Sequence, residues 1–247
     1  MANKTLSENV NQAISDFGAI KQAIVDKGVD VPTGTPTSQY GAKIGEIQTG
    51  GGTTPTKGFL PTAWDADGYF AEGDFYGDNV PDYYFASRSS DYVETPLHIK
   101  LTKINFKNPV YNIGKYSFCY MSKLEHVSLP EGLKKIDMHA FDYCQNTTFS
   151  EFPSSLEYIG YYAFADCYKA AFSVIPANVT YVGNYAFQSC RGITSITFKG
   201  TPTTLASYCF SNCSNLRTMN VPWSYGEVSG IPFGASNATI SYNYVEE

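Results

Sequence analysis

The chain has 247 residues, of which 43% are apolar and 16% charged, enough to build one large hydrophobic core or two smaller ones. Its formal charge of −6 and pI near 5.1 provide no basic field to attract phosphate backbones, so we expect no nucleic-acid partner. No run of about 18 apolar residues is present, so we expect no membrane insertion, and the polar start lacks the apolar core of a secretory signal.

Residues 1–48 carry a helical pattern. Apolar residues between Leu6 and Val29 recur at spacings of three and four, and Gly28 is a plausible stop signal. The pattern predicts a helix that either packs on a globular domain or joins a self-associating bundle of two or three chains. The candidate oligomerisation residues on its apolar face are Val10, Ile14, Phe17, Ile20 and Ile24.

Two less regular segments follow. Residues 49–57, Thr-Gly-Gly-Gly-Thr-Thr-Pro-Thr-Lys, bury too little apolar area to offset their backbone entropy and predict a flexible linker. Residues 58–100 are rich in Tyr, Phe, Asp and Gly without a clean helical or alternating pattern, so we assign them to an irregular β cap. Residues 228–247 are assigned to a C-terminal cap.

The segment 101–227 repeats itself every 23 residues. One column consists of Phe118, Phe141, Phe164, Phe187 and Phe210, and a second of Ile113, Ile136, Ile159, Val182 and Leu205. A third column, two residues before each Phe, contains Tyr116, His139, Tyr162, Tyr185 and Tyr208. The repeat units are 113–135, 136–158, 159–181, 182–204 and 205–227.

The energetics of a single unit require the units to stack. One unit buries about six or seven large side chains at about 1.5 to 3 kcal/mol each, whereas ordering 23 residues costs about 35 kcal/mol. A unit therefore cannot fold alone, and each coil must cover the apolar faces of its neighbours. We predict a mainly β solenoid preceded by a small α-helical segment.

Two of these units carry a family resemblance. The stretches Ile159-Gly-Tyr-Tyr-Ala-Phe-Ala-Asp-Cys167 and Val182-Gly-Asn-Tyr-Ala-Phe-Gln-Ser-Cys190 resemble the bacterial surface-antigen type of leucine-rich repeat. The resemblance implies a right-handed solenoid with short strands and an adhesive function. Asp137 and Ala206 depart from it by replacing the Gly.

The N-terminal segment carries a separate resemblance. The stretch Ile20-Lys-Gln-Ala-Ile-Val-Asp-Lys-Gly-Val29 is similar to short modules of bacteriophage tail and baseplate proteins. The resemblance implies attachment to other virion proteins. It fits the missing signal peptide, because virion proteins assemble inside the host.

The chemistry-bearing residues do not form a recognisable catalytic set. His98, His126 and His139 form no metal-ligand pattern, and no hydrolase elbow or phosphate-binding loop occurs, so we expect no enzyme activity, metal or cofactor. Cys144, Cys167, Cys190 and Cys213 lie one period apart. A coil spacing of about 4.8 Å permits disulfides, but synthesis without export favours buried free thiols.

Ligand binding is expected on the rows of side chains that neighbouring coils display. One candidate row precedes the repeat prolines: Ser128, Glu151, Val174, Thr197 and Asn220. Aromatic residues outside the repeat columns either bind sugars or a protein, or merely cover the edges of the coils. The candidates among them are Tyr143, Tyr158, Tyr161 and Tyr181.

These observations favour a non-enzymatic receptor-binding or fibre subunit of a bacteriophage virion, made in the host cytoplasm as a dimer or trimer. Its N-terminal segment would contact virion proteins, and its solenoid would contact a glycan or protein of the host surface. Two alternatives share the same features: a head-fibre or decoration protein, and a bacterial cell-surface or interaction protein with leucine-rich repeats.

Overall fold

The structure, a computed structural model, describes residues 58–64, 70–80, 101–107 and 109–245. Every regular element in these ranges is a β-strand, so no helix in them could cross a membrane. The predicted helix and linker lie outside the described residues, and so do the oligomerisation residues Val10, Ile14, Phe17, Ile20 and Ile24.

The described residues form fifteen strands, most of them two residues long. They are β1 (Gly58–Trp64), β2 (Phe70–Tyr76), β3 (Asn79–Val80), β4 (Lys103–Phe106), β5 (Asn112–Ile113), β6 (His126–Val127), β7 (Lys135–Ile136), β8 (Thr148–Phe149), β9 (Tyr158–Ile159), β10 (Val174–Ile175), β11 (Tyr181–Val182), β12 (Ser195–Phe198), β13 (Thr204–Leu205), β14 (Thr218–Asn220) and β15 (Thr239–Ser241).

The strands form three sheets, ordered β1-β2-β4-β6-β8, β10-β12-β14-β15 and β13-β11-β9-β7-β5-β3. All pairs are parallel except β1 with β2, and most join equivalent positions of consecutive coils. Tyr158 of β9, for example, pairs with Tyr181 of β11, 23 residues later. The predicted solenoid of stacked coils is therefore confirmed.

The phenylalanine column lines up along the centre of the solenoid. The ring centroids from Phe118 to Phe141, Phe164, Phe187 and Phe210 are 4.9, 5.4, 5.7 and 5.0 Å apart, and successive rings are within 10° of parallel. All five rings are fully buried. Stacked aromatic rings of this kind add dispersion and electrostatic stabilisation to the burial of their area.

The solenoid extends past both ends of the predicted repeat. Before it, β2 pairs with β4 and β3 with β5, so residues 70–80 add two strands to the stack, and β1 pairs with β2 in antiparallel orientation. After it, Phe233 continues the phenylalanine column at the same 23-residue spacing and is fully buried. The segment assigned to the C-terminal cap therefore contains a further coil, which ends in β15.

Two middle coils differ from the others in the strand that precedes the prolines. Val127, Ile196 and Met219 are fully buried at one repeat position, where the middle coils have Ser150 and Ser173. The middle coils instead place Phe149 and Phe172, one residue earlier, against the central rings, with Phe149 5.2 Å from Phe164. This one-residue shift accounts for the break between the sheet that ends at β8 and the sheet that begins at β10.

Candidate binding surfaces

The third repeat column forms a continuous stack of rings on the outside of the solenoid. We call Tyr116, His139, Tyr162, Tyr185 and Tyr208 the aromatic ladder. Its successive ring centroids are 4.5, 5.0, 4.9 and 5.8 Å apart, and the rings are within 24° of parallel. Because the rings cover one another's faces, they present mainly their edges and polar atoms to the solvent.

The backbone turns sharply at the aromatic ladder. Four ladder residues have a positive φ, between 54° and 57°, which residues other than glycine rarely adopt. They are Tyr116, His139, Tyr162 and Tyr185. The neighbouring coil holds this turn in place: the backbone N–H groups of Tyr162 and Phe164 donate to the carbonyl oxygens of Asn184 and Ala186. Because the turn is defined by such inter-coil hydrogen bonds, it presents the ladder rings in a fixed orientation.

Tyr161 lies across the aromatic ladder. Its ring is 4.2 Å from that of Tyr162 and 5.7 Å from that of His139, at interplanar angles of 81° and 76°. It is 38% exposed, whereas most ladder rings are half-buried. Burial and the hydrogen bond with Tyr161 raise the pKa of Tyr162 to about 12.

A second pair of tyrosines lies just before this turn, in β9 and β11. The rings of Tyr158 and Tyr181 are 4.5 Å apart and nearly parallel. The Lys135 ammonium lies 4.9 Å from the centre of the Tyr158 ring and pairs with Asp137 at 2.9 Å. Burial, and to a lesser extent the electrostatic interaction with Tyr181, raises the pKa of Tyr158. We call the aromatic ladder together with Tyr158, Tyr161 and Tyr181 the aromatic face.

Tyr143 belongs to a different part of the turn. Its ring stacks on that of Tyr120 at 4.6 Å and is 36% exposed. Both residues have positive φ, as do Asp166, Ser189 and Asn212 at the same repeat position. Of the four tyrosines singled out from the sequence, Tyr161 contacts the ladder, Tyr158 and Tyr181 stack on each other, and Tyr143 lies four residues beyond the ladder position.

The predicted row before the prolines is split into two parts. Val174, Thr197 and Asn220 lie side by side in β10, β12 and β14, and the Asn220 amide donates to the Thr197 hydroxyl at 3.2 Å. Ser128 and Glu151 lie beyond the ends of β6 and β8. The one-residue shift at Phe149 and Phe172 explains the split, and the row's role in binding stays a prediction.

Each part of that row is tied to neighbouring residues. The Glu151 carboxylate accepts hydrogen bonds from the backbone N–H and the hydroxyl of Ser173, the latter at 2.8 Å. Ser128 contacts Nε2 of His126 at 3.1 Å, and Nδ1 of His126 contacts the Thr148 hydroxyl at 3.0 Å. These contacts hold exposed polar side chains in fixed positions across coils.

The repeats match a known family. The family model described as "BspA type Leucine rich repeat region" matches residues 97–217, in six copies. Residues 97–217 are therefore similar to BspA type leucine-rich repeats. The predicted resemblance of the repeats is therefore confirmed, whereas the match begins well after the phage-like stretch at Ile20–Val29 and does not bear on it.

Several solved structures are similar to this chain, and each match covers 69% of it. One is a leucine-rich repeat protein from Bacteroides ovatus, with 20% identity and a TM-score of 0.44. Another is a leucine rich repeat protein from T. pallidum, with 23% identity, a TM-score of 0.47 and 85% of that chain covered. A third is a leucine rich cell surface protein from Faecalibacterium prausnitzii, with 15% identity, a TM-score of 0.36 and 70% of that chain covered.

The match to the Bacteroides ovatus protein covers 47% of that chain, so this chain spans about half its length. No curated protein matches the sequence.

The cysteines of the leucine-rich repeats serve packing. Cys144, Cys167, Cys190 and Cys213 each donate a thiol hydrogen bond, 3.0 to 3.1 Å long, to the carbonyl oxygen of a phenylalanine of the central column in the preceding coil. All six cysteines are buried and unbridged. Burial raises the pKa of Cys167 and Cys190 well above its usual value, which leaves them as unreactive thiols.

The aromatic ladder contains one ionisable pair. Nδ1 of His139 lies 2.7 Å from Oδ2 of Asp142, and both side chains are largely buried. Burial raises the pKa of Asp142, and the hydrogen bond with His139 opposes that shift. Within the described ranges, no group of three or more His, Cys, Asp or Glu side chains is placed to hold a metal ion.

Proposed function

We propose that this chain is an adhesive interaction module of the bacterial surface-protein type and that it binds a protein partner through the aromatic face. The observation that carries the proposal is the row of stacked tyrosine rings, with Tyr161 38% exposed beside it and Tyr208 54% exposed at its end. Tyr side chains bring a large contact area and a hydroxyl group at little entropy cost.

The stacking of the ladder supports a protein partner over a sugar. A sugar ring packs on an open aromatic face, whereas the faces of Tyr162 and Tyr185 are covered by their neighbours in the ladder. Ring edges and phenol hydroxyls suit the mixed apolar and hydrogen-bonding surface of a protein. Because packing already holds these rings, binding immobilises few further rotamers.

The test uses beads coated with the full chain and layers of bacterial or animal cells. We expect the double variant Tyr161→Ala/Tyr208→Ala to lower bead retention about tenfold or more, since exposed aromatic anchors dominate such interfaces. Tyr225→Ala is the control, because Tyr225 is 84% exposed and its ring packs on Tyr242, which is not a ladder residue. Retention should also fall after the cells are treated with protease, because the proposed partner of the aromatic face is a protein.

Two results would contradict the proposal. One is equal retention of the double variant and the Tyr225→Ala control, provided that both unfold at the same temperature as the wild type. The other is full retention on protease-treated cells, which would point to a glycan.

A second candidate function is the same adhesive role on a bacteriophage particle, as a tail fibre or as a head-fibre or decoration protein. The phage-like stretch Ile20–Val29 and the Gly/Thr/Pro segment 49–57 favour it. Virion proteins would then be the partners of residues 1–48, and the chain would form a dimer or trimer. Light scattering should show a multimer, and electron micrographs should show phage particles that carry a label attached to this chain. A monomer together with unlabelled particles would refute the bacteriophage role.

A further inference from the structure

One edge of the solenoid concentrates positive charge in a chain whose net charge is −6. The edge comprises the same four positions of each repeat unit: 122–125, 145–148, 168–171, 191–194 and 214–217. We call it the basic edge. It contains the exposed cations Lys123, Lys169, Arg191 and Arg217 and a single carboxylate, Glu125.

The cations of the basic edge are available for a ligand. The ion pairs found among the described residues involve Lys103, Lys107, Lys134, Lys135 and His139, all outside this edge. Arg191 lies over the Tyr168 ring at 4.6 Å, and Arg217 donates to the Ser214 carbonyl oxygen at 2.7 Å. Both contacts hold a guanidinium in position while leaving some of its five N–H donors for other acceptors.

A groove opens at the N-terminal half of the basic edge. It has a volume of about 370 Å³ and crosses three consecutive coils. The Asn146 amide donates to the Ser122 carbonyl oxygen at 3.0 Å, and the Thr148 hydroxyl donates to the Glu125 carbonyl oxygen at 3.0 Å. Both side chains are thereby fixed, and the Asn146 amide oxygen is left over as an acceptor. The residues lining the groove are Ser122, Lys123, Glu125, Asn146, Thr148 and Lys169.

We infer that the basic edge binds an acidic polysaccharide, which lies along the solenoid axis with its carboxylates on the cations and its hydroxyls in the groove. Lys123 and Lys169 are two coils apart, about 10 Å at about 4.8 Å per coil, so they match anions separated by uncharged ring atoms. The two cations would bind carboxylates of the sugar, and the hydroxyl and amide groups between them would bind its hydroxyls.

Glu125 distinguishes this ligand from a dense phosphate polymer. A carboxylate in the same groove as two lysines accepts hydrogen bonds from sugar hydroxyls but repels closely spaced phosphates. The basic edge also lies at repeat positions different from those of the aromatic face, so this inference does not depend on the proposed protein partner. The two surfaces can be disabled separately.

The experiment measures binding of the full chain to immobilised polygalacturonate, with its methyl ester as the neutral counterpart and polyphosphate at matched charge concentration. We expect Lys123→Gln/Lys169→Gln to weaken polygalacturonate binding about tenfold or more, as expected for the loss of two charge-assisted contacts. The control Lys103→Gln/Lys134→Gln makes the same change in net charge at exposed lysines outside the basic edge and should change affinity less than about threefold.

The expected pattern is binding to polygalacturonate that weakens with salt, no binding to the ester and weaker binding to polyphosphate. Three results would overturn the inference: no binding to polygalacturonate, equal losses in the two double variants, or polyphosphate binding at least as tight as polygalacturonate. The second would mean that net charge alone acts, and the third that the edge is an unselective anion surface. The Tyr161→Ala/Tyr208→Ala variant should bind polygalacturonate as tightly as the wild type. This binding would show that the basic edge acts independently of the aromatic face.

Discussion

Replacing the middle ring of the phenylalanine column tests the stacking of the solenoid most directly. Phe164 is fully buried, and its ring lies 5.4 Å from that of Phe141, 5.7 Å from that of Phe187 and 4.9 Å from that of Phe172. A buried Phe→Ala change costs about 3 to 5 kcal/mol through lost transfer energy and the cavity that remains. Because each lost ring contact adds about 0.5 to 1.5 kcal/mol, we expect Phe164→Ala to fall at the upper end of that range.

The measurement is urea denaturation monitored by far-ultraviolet circular dichroism. The free energies of unfolding are compared between variants whose dependence on urea concentration has the same slope. Phe164→Leu is the control, since it keeps most of the volume and should cost about 1.5 kcal/mol or less. Phe233→Ala should cost less than Phe164→Ala, because Phe233 lies in the last coil that the structure describes, with a described neighbouring coil on one side. A loss below about 1 kcal/mol for Phe164→Ala would mean that the column does not hold the coils together.

Three further results are expected. Gly183→Ala should destabilise the fold by about 1 to 3 kcal/mol in thermal unfolding, because its Cβ would lie 2.6 Å from the Tyr161 backbone nitrogen; Gly226→Ala, with nothing within 4 Å but a φ of 88°, should cost less, and the reverse order would refute the close contact. All six thiols should titrate in denaturant but resist a thiol reagent in the folded protein, since burial raises the pKa of Cys213 to about 12; fast labelling of the native protein would contradict this burial. Burial raises the pKa of Asp142 in the folded state, so its stabilising contribution is complete below the unfolded pKa of about 3.9 and is lost as the pH rises through the folded pKa. The wild type should therefore lose melting temperature relative to Asp142→Asn between pH 3.5 and 7. A constant difference between the two melting temperatures over this range would exclude the shift.

The regular parts of the fold could be predicted because they repeat. A Phe every 23 residues, with an Ile, Val or Leu heading each unit, has no stable arrangement except in stacked coils. Phe233 keeps the same spacing, but Pro232 and Gly234 beside it hide the repeat motif, so that coil was assigned to a cap. The shift at Phe149 was missed because a strand pattern does not reveal a one-residue change of register.

The candidate surfaces were harder to predict than the core. Tyr158, Tyr161 and Tyr181 were chosen because they stand outside the repeat columns, and two of them stack across neighbouring strands. The repeat spacing did not predict the exposure of the aromatic ladder, in which Tyr208 is 54% exposed and the other members are half-buried. A repeat column predicts which residues are neighbours in adjacent coils. It does not predict the solvent exposure of each ring, because that depends on the conformation of the adjoining turn.

The length of the coil and the identity of its buried columns follow from the residues alone, because a 23-residue unit with that composition is unstable until others lie against it. Which surface residues meet depends on how the coils stack. Lys123, Lys169 and Arg191 are 46 and 22 residues apart along the chain, and they form one edge because each coil returns the chain to nearly the same place. Tyr161 crosses the aromatic ladder for a similar reason: its ring fits against rings supplied by the coils on either side, whose orientation no local pattern records.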